Sequence, residues 1–417
     1  VTLYSPNSWE WVVSYYAVLK VGAVINPVNV MLTPEEVAYV TKDCGSSIII
    51  GSKEKLEPLA HLKLGAGVKE LICYEEGLDE ALSFASLLNK SSDAFIPVEV
   101  DQDTLSTICY TSGTTGHPKG AMHSHHNVVM NTNLTALMHG RTHDDTVVTA
   151  LPCTHVYGNV VMNGAFINGM TLLLHARFEE KSILESIQQH KATLFEGVPT
   201  MYMYLLNYPE LDEYDLSSLR SCTVGGQTMP TAKMEEVEQR FACPLIELWG
   251  MTELAGLGTT FSHTGPLVHG SIGVCLPYVQ AKIVDTEDVK KTLDSDEIGE
   301  LMIKGPIVML GYYNNQQGTK ETIEADGWLH TGDVAKIDNE GNIYIVDRKK
   351  DMIVTAGFNI YPAELERVIA GHPDVMMVAV GAIADEEKGE LAKAYVIIKE
   401  GVKANADNII SYCREQL

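Results

Sequence analysis

A segment suited to holding phosphate is predicted at positions 110–120, where the sequence is YTSGTTGHPKG. It directly follows an apolar, strand-like run, residues 105–110. Glycine lets backbone N–H groups approach an anion closely, hydroxyl groups donate hydrogen bonds, and lysine adds a positive charge. The residues concerned are Thr111, Ser112, Gly113, Thr114, Thr115, Gly116 and Lys119. The spacing does not fit the Walker phosphate loop, and the alternative interpretation is a flexible surface turn.

A second candidate for phosphate chemistry is the pair Thr252 and Glu253, which ends the segment LWGMTE, residues 248–253. A hydroxyl beside a carboxylate offers oxygen ligands, which Mg²⁺ prefers in proteins. Taken alone, the pair is an ordinary helix start. In a chain that also carries a phosphate-binding segment, it indicates a site for a magnesium nucleotide.

The string TSGTTGHPKG resembles the signature of the adenylate-forming superfamily, which includes acyl-CoA synthetases, adenylation domains of peptide synthetases and beetle luciferases. The resemblance extends over essentially the whole chain. It implies that ATP binds with Lys119 and the neighbouring hydroxyl groups on its β- and γ-phosphates. It further implies that Thr252 contacts the α-phosphate, that Glu253 holds Mg²⁺ and that coenzyme A is a co-substrate. These three residues are expected to be catalytic, together with His155 and Lys350.

The rest of the nucleotide site also follows from the resemblance. A predicted strand runs into a double glycine at residues 221–227, which implies a backbone wall against adenine at Gly225, Gly226 and Gln227. In the T-G-D segment, Asp333 is expected to accept hydrogen bonds from both ribose hydroxyls, since a carboxylate has two oxygens. Arg348 is expected at the ribose as well. The remaining expected ATP contacts are Trp249, Gly250 and Met251.

The expected substrate pocket lies around the segment LPCTHVYG, residues 151–158. The resemblance implies that His155 lines the place of the substrate carboxyl group and gates the path of the pantetheine thiol. Val156 stands where amino-acid-activating relatives tend to carry Asp, so an amino-acid substrate is disfavoured. Residues 156–174 include no charged side chain, which fits a buried core or, in part, an acyl pocket. The other expected pocket residues are Tyr157, Gly158, Gly225 and Met251.

The charged segment DRKKD, residues 347–351, ends a predicted strand, and its simplest interpretation is a solvated turn. The resemblance makes it a hinge with Lys350 as the pivot. The hinge would join an AMP-binding domain, residues 1–346, to a small C-terminal lid, residues 347–417. Gly357 and Phe358 would face CoA in the second half-reaction. The family's lysine-bearing P-x-T-x-x-G-K segment does not occur in this chain, so truncation is expected at the C-terminus and also at the N-terminus.

Composition narrows the class of protein further. The 417 residues include 30 Lys plus Arg against 55 Asp plus Glu, a formal charge of −25, which disfavours a nucleic-acid partner. The eight cysteines form no C-x-x-C pair, which favours reduced thiols in a cytoplasmic protein. The chain contains no apolar run long enough for a transmembrane segment and no signal peptide. The sequence leaves open whether the protein forms a homodimer.

The histidines His123, His125 and His126 raise the alternative of a zinc site. No Cys, Asp or Glu with ligand spacing accompanies them, so they are expected instead to flank the start of a helix at residues 127–137.

The predicted fold class is α/β. It comprises a large N-terminal adenylation domain of several subdomains, with doubly covered sheets and a β-rich part, and a small α+β lid. The predicted function is ATP-dependent acyl-CoA synthesis through acyl-AMP from an apolar carboxylic acid, with a medium- or long-chain fatty acid as the first choice. The alternatives are an aryl-CoA ligase, an adenylation domain that loads a carrier protein, and a protein that binds ATP or acyl-AMP without catalysis.

Overall fold

The structure is a computed structural model that describes residues 1–60, 67–111, 118–355, 358–385, 388–399, 401–402 and 405–416. Its α-helices are α1 (Trp9–Lys20), α2 (Pro34–Asp43), α3 (Lys53–Ala60), α4 (Phe84–Lys90), α5 (His125–Met138), α6 (Val156–Ile167), α7 (Glu180–His190), α8 (Pro199–Leu206), α9 (Thr231–Phe241), α10 (Gln316–Thr322), α11 (Pro362–Ala370) and α12 (Ala406–Gln416). Two short 3₁₀ helices are Leu211–Glu213 and Thr252–Leu254.

The strands are β1 (Thr2–Tyr4), β2 (Asn26–Pro27), β3 (Ile48–Gly51), β4 (Glu70–Cys73), β5 (Leu82–Ser83), β6 (Leu105–Thr111), β7 (Lys119–Ser124), β8 (Thr146–Thr149), β9 (Thr171–Leu174), β10 (Leu194–Gly197), β11 (Ser221–Gly225), β12 (Leu245–Met251), β13 (Gly256–Thr260), β14 (Val274–Cys275), β15 (Gln280–Val284), β16 (Gly299–Lys304), β17 (Gly311–Tyr312), β18 (Leu329–Ile337), β19 (Ile343–Arg348), β20 (Ile353–Thr355), β21 (Phe358–Ile360), β22 (Val375–Asp385) and β23 (Gly389–Ile398).

Two sheets form the α/β part of the molecule. The first is parallel, with the strand order β2-β1-β3-β4-β5. The second has the order β14-β13-β12-β11-β10-β8-β9. Its five strands β8 to β12 are parallel, whereas β13 and β14 are antiparallel. Parallel strands need crossover connections, which the intervening helices provide, and the sheet is thereby covered on both faces.

Successive side chains of these strands point to opposite faces, and both faces are buried, as expected for a sheet covered on both faces. In β3, Ile49 packs in one apolar cluster with α2 and α3, whereas Ile50 packs in another with α1 and α6. In β10, Leu194 faces the cluster that contains α6, and Phe195 faces the cluster of α7, α8 and α9. The doubly covered architecture predicted from the sequence is therefore confirmed.

Three further sheets complete the described part of the chain. Strands β17-β7-β6 form a small antiparallel sheet, β15-β16-β18-β19 form the β-rich part, and β21-β20-β23-β22 form the sheet of the C-terminal region, on which α11 and α12 pack. Strand β19 continues through Arg348, since Arg348 pairs with Asp333 of β18. The predicted hinge segment thus starts inside a strand, and its turn begins at Lys349.

Helix α5 begins directly after β7 because of a capping box. The Ser124 side chain accepts a hydrogen bond from Asn127 N at 3.1 Å, and Asn127 Oδ1 accepts one from Ser124 N at 2.9 Å. Asn127 also donates from its side chain to Pro306 O and Val308 O. The predicted helix start near the histidines is correct to within two residues, and β7 is held firmly against α5.

Candidate functional site

Three adjoining cavities open where the parallel strands β11 and β12 end. The central cavity, about 530 Å³, has a lining that includes Lys119, Thr252, Glu253, Asp333 and Lys350. The inner cavity, about 350 Å³, begins at His155 and Thr252, which also line the central cavity. The side cavity, about 210 Å³, shares Asp333 and Arg348 with the central one. The crevice beyond the carboxyl ends of strands is where open α/β sheets bind ligands.

The end of β12 is shaped by close backbone packing. A Cβ on Gly250 would lie 2.1 Å from Gly256 O of the neighbouring strand, and the pairing of β12 with β13 shifts register between Trp249 and Gly250. The strand can therefore bend only because residue 250 is glycine. The bend brings Met251, Thr252 and Glu253 to the wall of the central cavity.

The Thr252–Leu254 turn is held from beneath by β7. His123 Nε2 lies 2.7 Å from Thr252 O, and the ring is 1% exposed. Burial lowers the pKa of His123 to about 4, so the ring is neutral and its Nε2–H donates to the carbonyl. His123 is thus a buried support of the turn. Among the described residues no group of three or more His, Cys, Asp and Glu side chains is arranged to hold a metal, which leaves the zinc alternative without support.

Glu253 is buried beside a tyrosine that sequence analysis did not single out. Tyr312 of β17 donates its hydroxyl hydrogen to Glu253 Oε1 at 2.7 Å, and Lys119 Nζ lies 5.2 Å from the centre of the same ring. The two predicted phosphate-site residues are thereby brought to one aromatic side chain. A single carboxylate beside a lysine fits a Mg²⁺ ion whose other ligands are phosphate oxygens and water.

Of the phosphate-binding segment, Thr111 and Lys119 lie at the facing ends of β6 and β7 and line the central cavity. Thr111 Oγ1 donates to Lys119 O at 3.4 Å. The predicted residues Ser112, Gly113, Thr114, Thr115 and Gly116 lie outside the described residues, as does Gly357.

Asp333 joins the central cavity to the side cavity. Trp249 Nε1 donates to Asp333 Oδ2 at 2.9 Å, and Arg348 Nε lies 3.2 Å from Asp333 Oδ1. Burial raises the pKa of the Asp333 carboxyl, and the Arg348 guanidinium opposes that rise. Each oxygen keeps a lone pair for a further donor, which is what contact with a vicinal diol requires.

The predicted adenine wall is divided between two environments. Gly226 and Gln227 are exposed and line the inner and side cavities. Gly225 is buried in β11, and a Cβ there would lie 2.2 Å from Leu248 Cδ1. The structure gives Gly225 a packing role between β11 and β12, and it lines none of the three cavities.

Glu247 is a side-cavity residue that sequence analysis missed. It is 7% exposed, and its Oε2 accepts a hydrogen bond from Gly270 N at 3.1 Å. Burial raises the pKa of this carboxyl to about 7. A carboxyl group in this position can accept a hydrogen bond from an amino group of a bound ligand.

His155 stands at the junction of the central and inner cavities, as the N-cap of α6. Its Nδ1 accepts a hydrogen bond from Tyr157 N at 3.3 Å. His155 is exposed to the cavity, and desolvation by the cavity walls lowers the pKa of its ring. Val156, Tyr157 and Gly158, which the sequence analysis assigned to a substrate pocket, follow it along the inner cavity wall.

The remaining predicted residues lie at the edges of the site. Lys350 is exposed and lines the central cavity. Met251 lines the central cavity but not the inner one, where a substrate contact was expected. Phe358 is the first residue of β21. No helix in the described part of the chain is long and apolar enough to cross a membrane.

The fold and the cavities define a two-part α/β protein with a ligand site beyond the carboxyl ends of its strands. Residues 1–313 match the family model of the AMP-binding enzyme, and residues 364–417 match that of the AMP-binding enzyme C-terminal domain. The chain therefore belongs to the AMP-binding enzyme family. Within it, the chain falls in the acyl-CoA synthetase branch, whose members are acid–thiol ligases.

Three relatives illustrate this similarity. The long-chain-fatty-acid–CoA ligase of Bacillus subtilis (strain 168) is 32% identical over 447 residues, which cover 100% of this chain and 80% of the relative. The structure of ATP-bound MatB from Rhodopseudomonas palustris has a TM-score of 0.91 at 31% identity, covering 100% of this chain and 82% of that one. The o-succinylbenzoate coenzyme A synthetase of Bacillus subtilis in complex with AMP has a TM-score of 0.85 at 30% identity, with coverage of 100% and 81%. The predicted fold class is thus confirmed.

Proposed function

We propose that this protein is an AMP-forming acyl-CoA synthetase that activates an apolar carboxylic acid, with a medium- or long-chain fatty acid as its substrate. One observation carries the proposal that the substrate is an apolar acid. Among the residues that the structure describes, those that line the inner cavity include no Asp, Glu, Lys or Arg. A second charge on the substrate would enter this cavity without a partner, at a cost of several kcal/mol.

In the proposed first half-reaction, the substrate carboxylate attacks the α-phosphorus of ATP and pyrophosphate leaves. Lys119 supplies positive charge to the phosphates, and Thr252 offers a hydroxyl near the α-phosphate. Glu253 and the phosphate oxygens would hold Mg²⁺, which offsets phosphate charge when bound. Catalysis in such a site comes from positioning and from charge stabilisation.

The nucleotide itself is proposed to span two cavities. Asp333 and Arg348 are assigned to the ribose because they line both the central and the side cavity. Gly226, Gln227 and Glu247 are assigned to adenine in the side cavity. Trp249 would hold Asp333 in place through its 2.9 Å hydrogen bond.

In the proposed second half-reaction, the CoA thiol attacks the acyl carbon of acyl-AMP, a thioester forms and AMP leaves. His155 is assigned as the gate because it stands where the central and inner cavities meet. We also propose that the chain has two domains, residues 1–346 and 347–417. Lys350, in the turn after β19, would be the pivot between them, and Gly357 and Phe358 would face CoA.

The deciding experiment supplies the full-length protein with MgATP, CoA and one acid at a time. Pyrophosphate and thioester are measured with palmitate, 4-coumarate and phenylalanine. We expect both products with palmitate at the highest kcat/KM. A preference for 4-coumarate would make the protein an aryl-CoA ligase. Pyrophosphate without thioester would point to a carrier protein as the acceptor, and no pyrophosphate with any acid would contradict catalysis.

A further inference from the structure

A fourth cavity, called here the outer cavity, lies between helices α1, α5 and α6. It measures about 290 Å³, and its lining includes Tyr15, Tyr16, Leu19, Val128, Phe166 and Ile167. Large apolar side chains stand exposed at its rim: Phe166 is 50% exposed, Val129 48% and Ile167 45%. Apolar side chains gathered around an apolar hollow are a usual sign of a ligand or interaction site.

A small cavity, called here the passage, shares lining residues with both the inner and the outer cavity. The passage, about 10 Å³, shares Cys109, Thr154 and Val156 with the inner cavity. It shares Val128 of α5 with the outer cavity. Among the described residues, Val128 alone lines both the passage and the outer cavity. Because the passage is about the size of one water molecule, the Val128 side chain sets its width.

The inner cavity is closed on the opposite side, toward the large sheet. Tyr157 is 6% exposed, and its hydroxyl lies 2.7 Å from Thr223 Oγ1, which donates to Glu196 Oε2 at 3.1 Å. Glu196 is in turn paired with the buried Arg141. Moving the Tyr157 ring would leave members of this buried network without partners, which is costly. A long ligand in the inner cavity therefore meets a fixed wall at Tyr157.

The channel toward the outer cavity is chemically suited to an alkyl chain. The polar side chains of α1 and α6 along it satisfy one another: Tyr16 donates to Asn163 Oδ1 at 2.8 Å, Asn163 donates to Asn159 Oδ1 at 2.8 Å, and Tyr15 donates to the same oxygen at 3.3 Å. Burial lowers the pKa of His125 at the outer cavity, so its ring is neutral at pH 7. An apolar chain beside α1 and α6 would therefore leave these hydrogen-bonded side chains paired with one another.

We propose that the outer cavity binds the distal part of a long, unbranched acyl chain, which reaches it through the passage beside Val128. The inference rests on the proposed acyl-CoA synthetase function and specifies its substrate class. Short acids end in the inner cavity, whereas long acids pass between α5 and α6. Since the outer cavity opens to the surface, chain length has no sharp upper limit.

The test compares Val128→Phe and Val128→Ala in the full-length protein. Adenylate formation is followed by pyrophosphate release, without CoA, for hexanoate and palmitate. The ratio of kcat/KM for palmitate to that for hexanoate should fall about tenfold or more in Val128→Phe, because each excluded methylene loses its burial. The same ratio should stay level or rise in Val128→Ala. Leu137→Phe, an added ring at an exposed position of α5 outside these cavities, should leave it unchanged.

Two outcomes would overturn the proposal. An equal loss for both acids in Val128→Phe, with an unaltered ratio in Val128→Ala, would show that Val128 does not meet the acyl chain. If thioester formation, measured separately with CoA present, shows a raised KM for CoA in Val128→Phe while the acid ratio is unaltered, the passage belongs to pantetheine. Failure of the proposed function is a separate result, since the unmodified protein would then release no pyrophosphate with any acid.

Discussion

The central cavity, proposed as the nucleotide side of the site, and the inner cavity, proposed as its acyl side, are built on different physical principles. Around the central cavity, charged and polar groups converge: Lys119, Glu253, Asp333 and Arg348 all line it. In the described part of the chain, the inner cavity has no acidic or basic lining residue other than His155. Phosphate and ribose demand particular donors and acceptors, whereas an alkyl chain demands only apolar volume. Substitutions on the two sides should therefore fail in different ways.

Glu253→Gln should give the largest effect and should act on the nucleotide side alone. The change removes an anionic ligand for Mg²⁺ but keeps the shape of the side chain. ATP–pyrophosphate exchange should slow by about 10²–10³-fold, as for other losses of one preorganised electrostatic group. Glu235→Gln, at an exposed position of α9, is the matched control. If exchange proceeds at a near-normal rate, Glu253 is not part of the nucleotide site.

Glu247→Gln should change how stability depends on pH. The pKa of Glu247 is raised to about 7 by burial, so the folded protein keeps a proton that the unfolded chain releases near pH 4.5. The contribution to stability is thus fully present below about pH 4.5 and is lost as pH rises through 7. The variant should gain about 2–3 kcal/mol over the parent at pH 8 and little at pH 4. Chemical denaturation at pH 4 and pH 8 measures the free energy of unfolding of the variant and the parent. If the two proteins differ by the same amount at both pH values, the pKa of Glu247 is not raised by burial.

Thr223→Val should affect the acyl side. It removes the hydroxyl between Tyr157 and Glu196, so both lose a hydrogen-bond partner in the interior. Stability should fall by about 1–3 kcal/mol. The KM for fatty acids should change while that for ATP stays within about twofold, because the nucleotide contacts are untouched. Thr171→Val, at an exposed position of β9, serves as the control. Equal changes in both KM values would mean that the two sides are not separable.

Tyr312→Phe is expected to have a smaller effect, again on the nucleotide side. The ring near Lys119 remains, but the hydrogen bond to Glu253 is lost. The kcat/KM for ATP should fall about tenfold, in line with the loss of one hydrogen bond to a charged group. Tyr313→Phe, on the neighbouring half-buried residue, should have no such effect. If the two variants behave alike, the Tyr312 hydroxyl does not position Glu253.

The difference between the polar central cavity and the apolar inner cavity also explains what could be predicted from the sequence. That Lys119 and the pair Thr252–Glu253 line one cavity could be expected from the sequence, because phosphate chemistry needs these residue types in local clusters. His123 and Tyr312 were not, since their contacts join residues 129 and 59 positions apart. Gly225 looked like a ligand contact, but a glycine packed against Leu248 has the same sequence pattern. The apolar run at residues 156–174 could not be divided between core and pocket, because both require the same side chains.

The strand β19 ties the nucleotide carboxylate to the C-terminal region. Asp333 pairs with Arg348 across the β18–β19 ladder, and the preceding residue, Asp347, accepts a hydrogen bond from Ala363 N of α11 at 2.9 Å. A rotation at Lys350 would leave the β18–β19 ladder intact and break the hydrogen bond between Ala363 N and Asp347. Its loss costs about 1 kcal/mol. This hydrogen bond is thus weak enough to be broken by thermal motion. It would nevertheless favour one orientation of the C-terminal region until the binding of a ligand compensates for its loss.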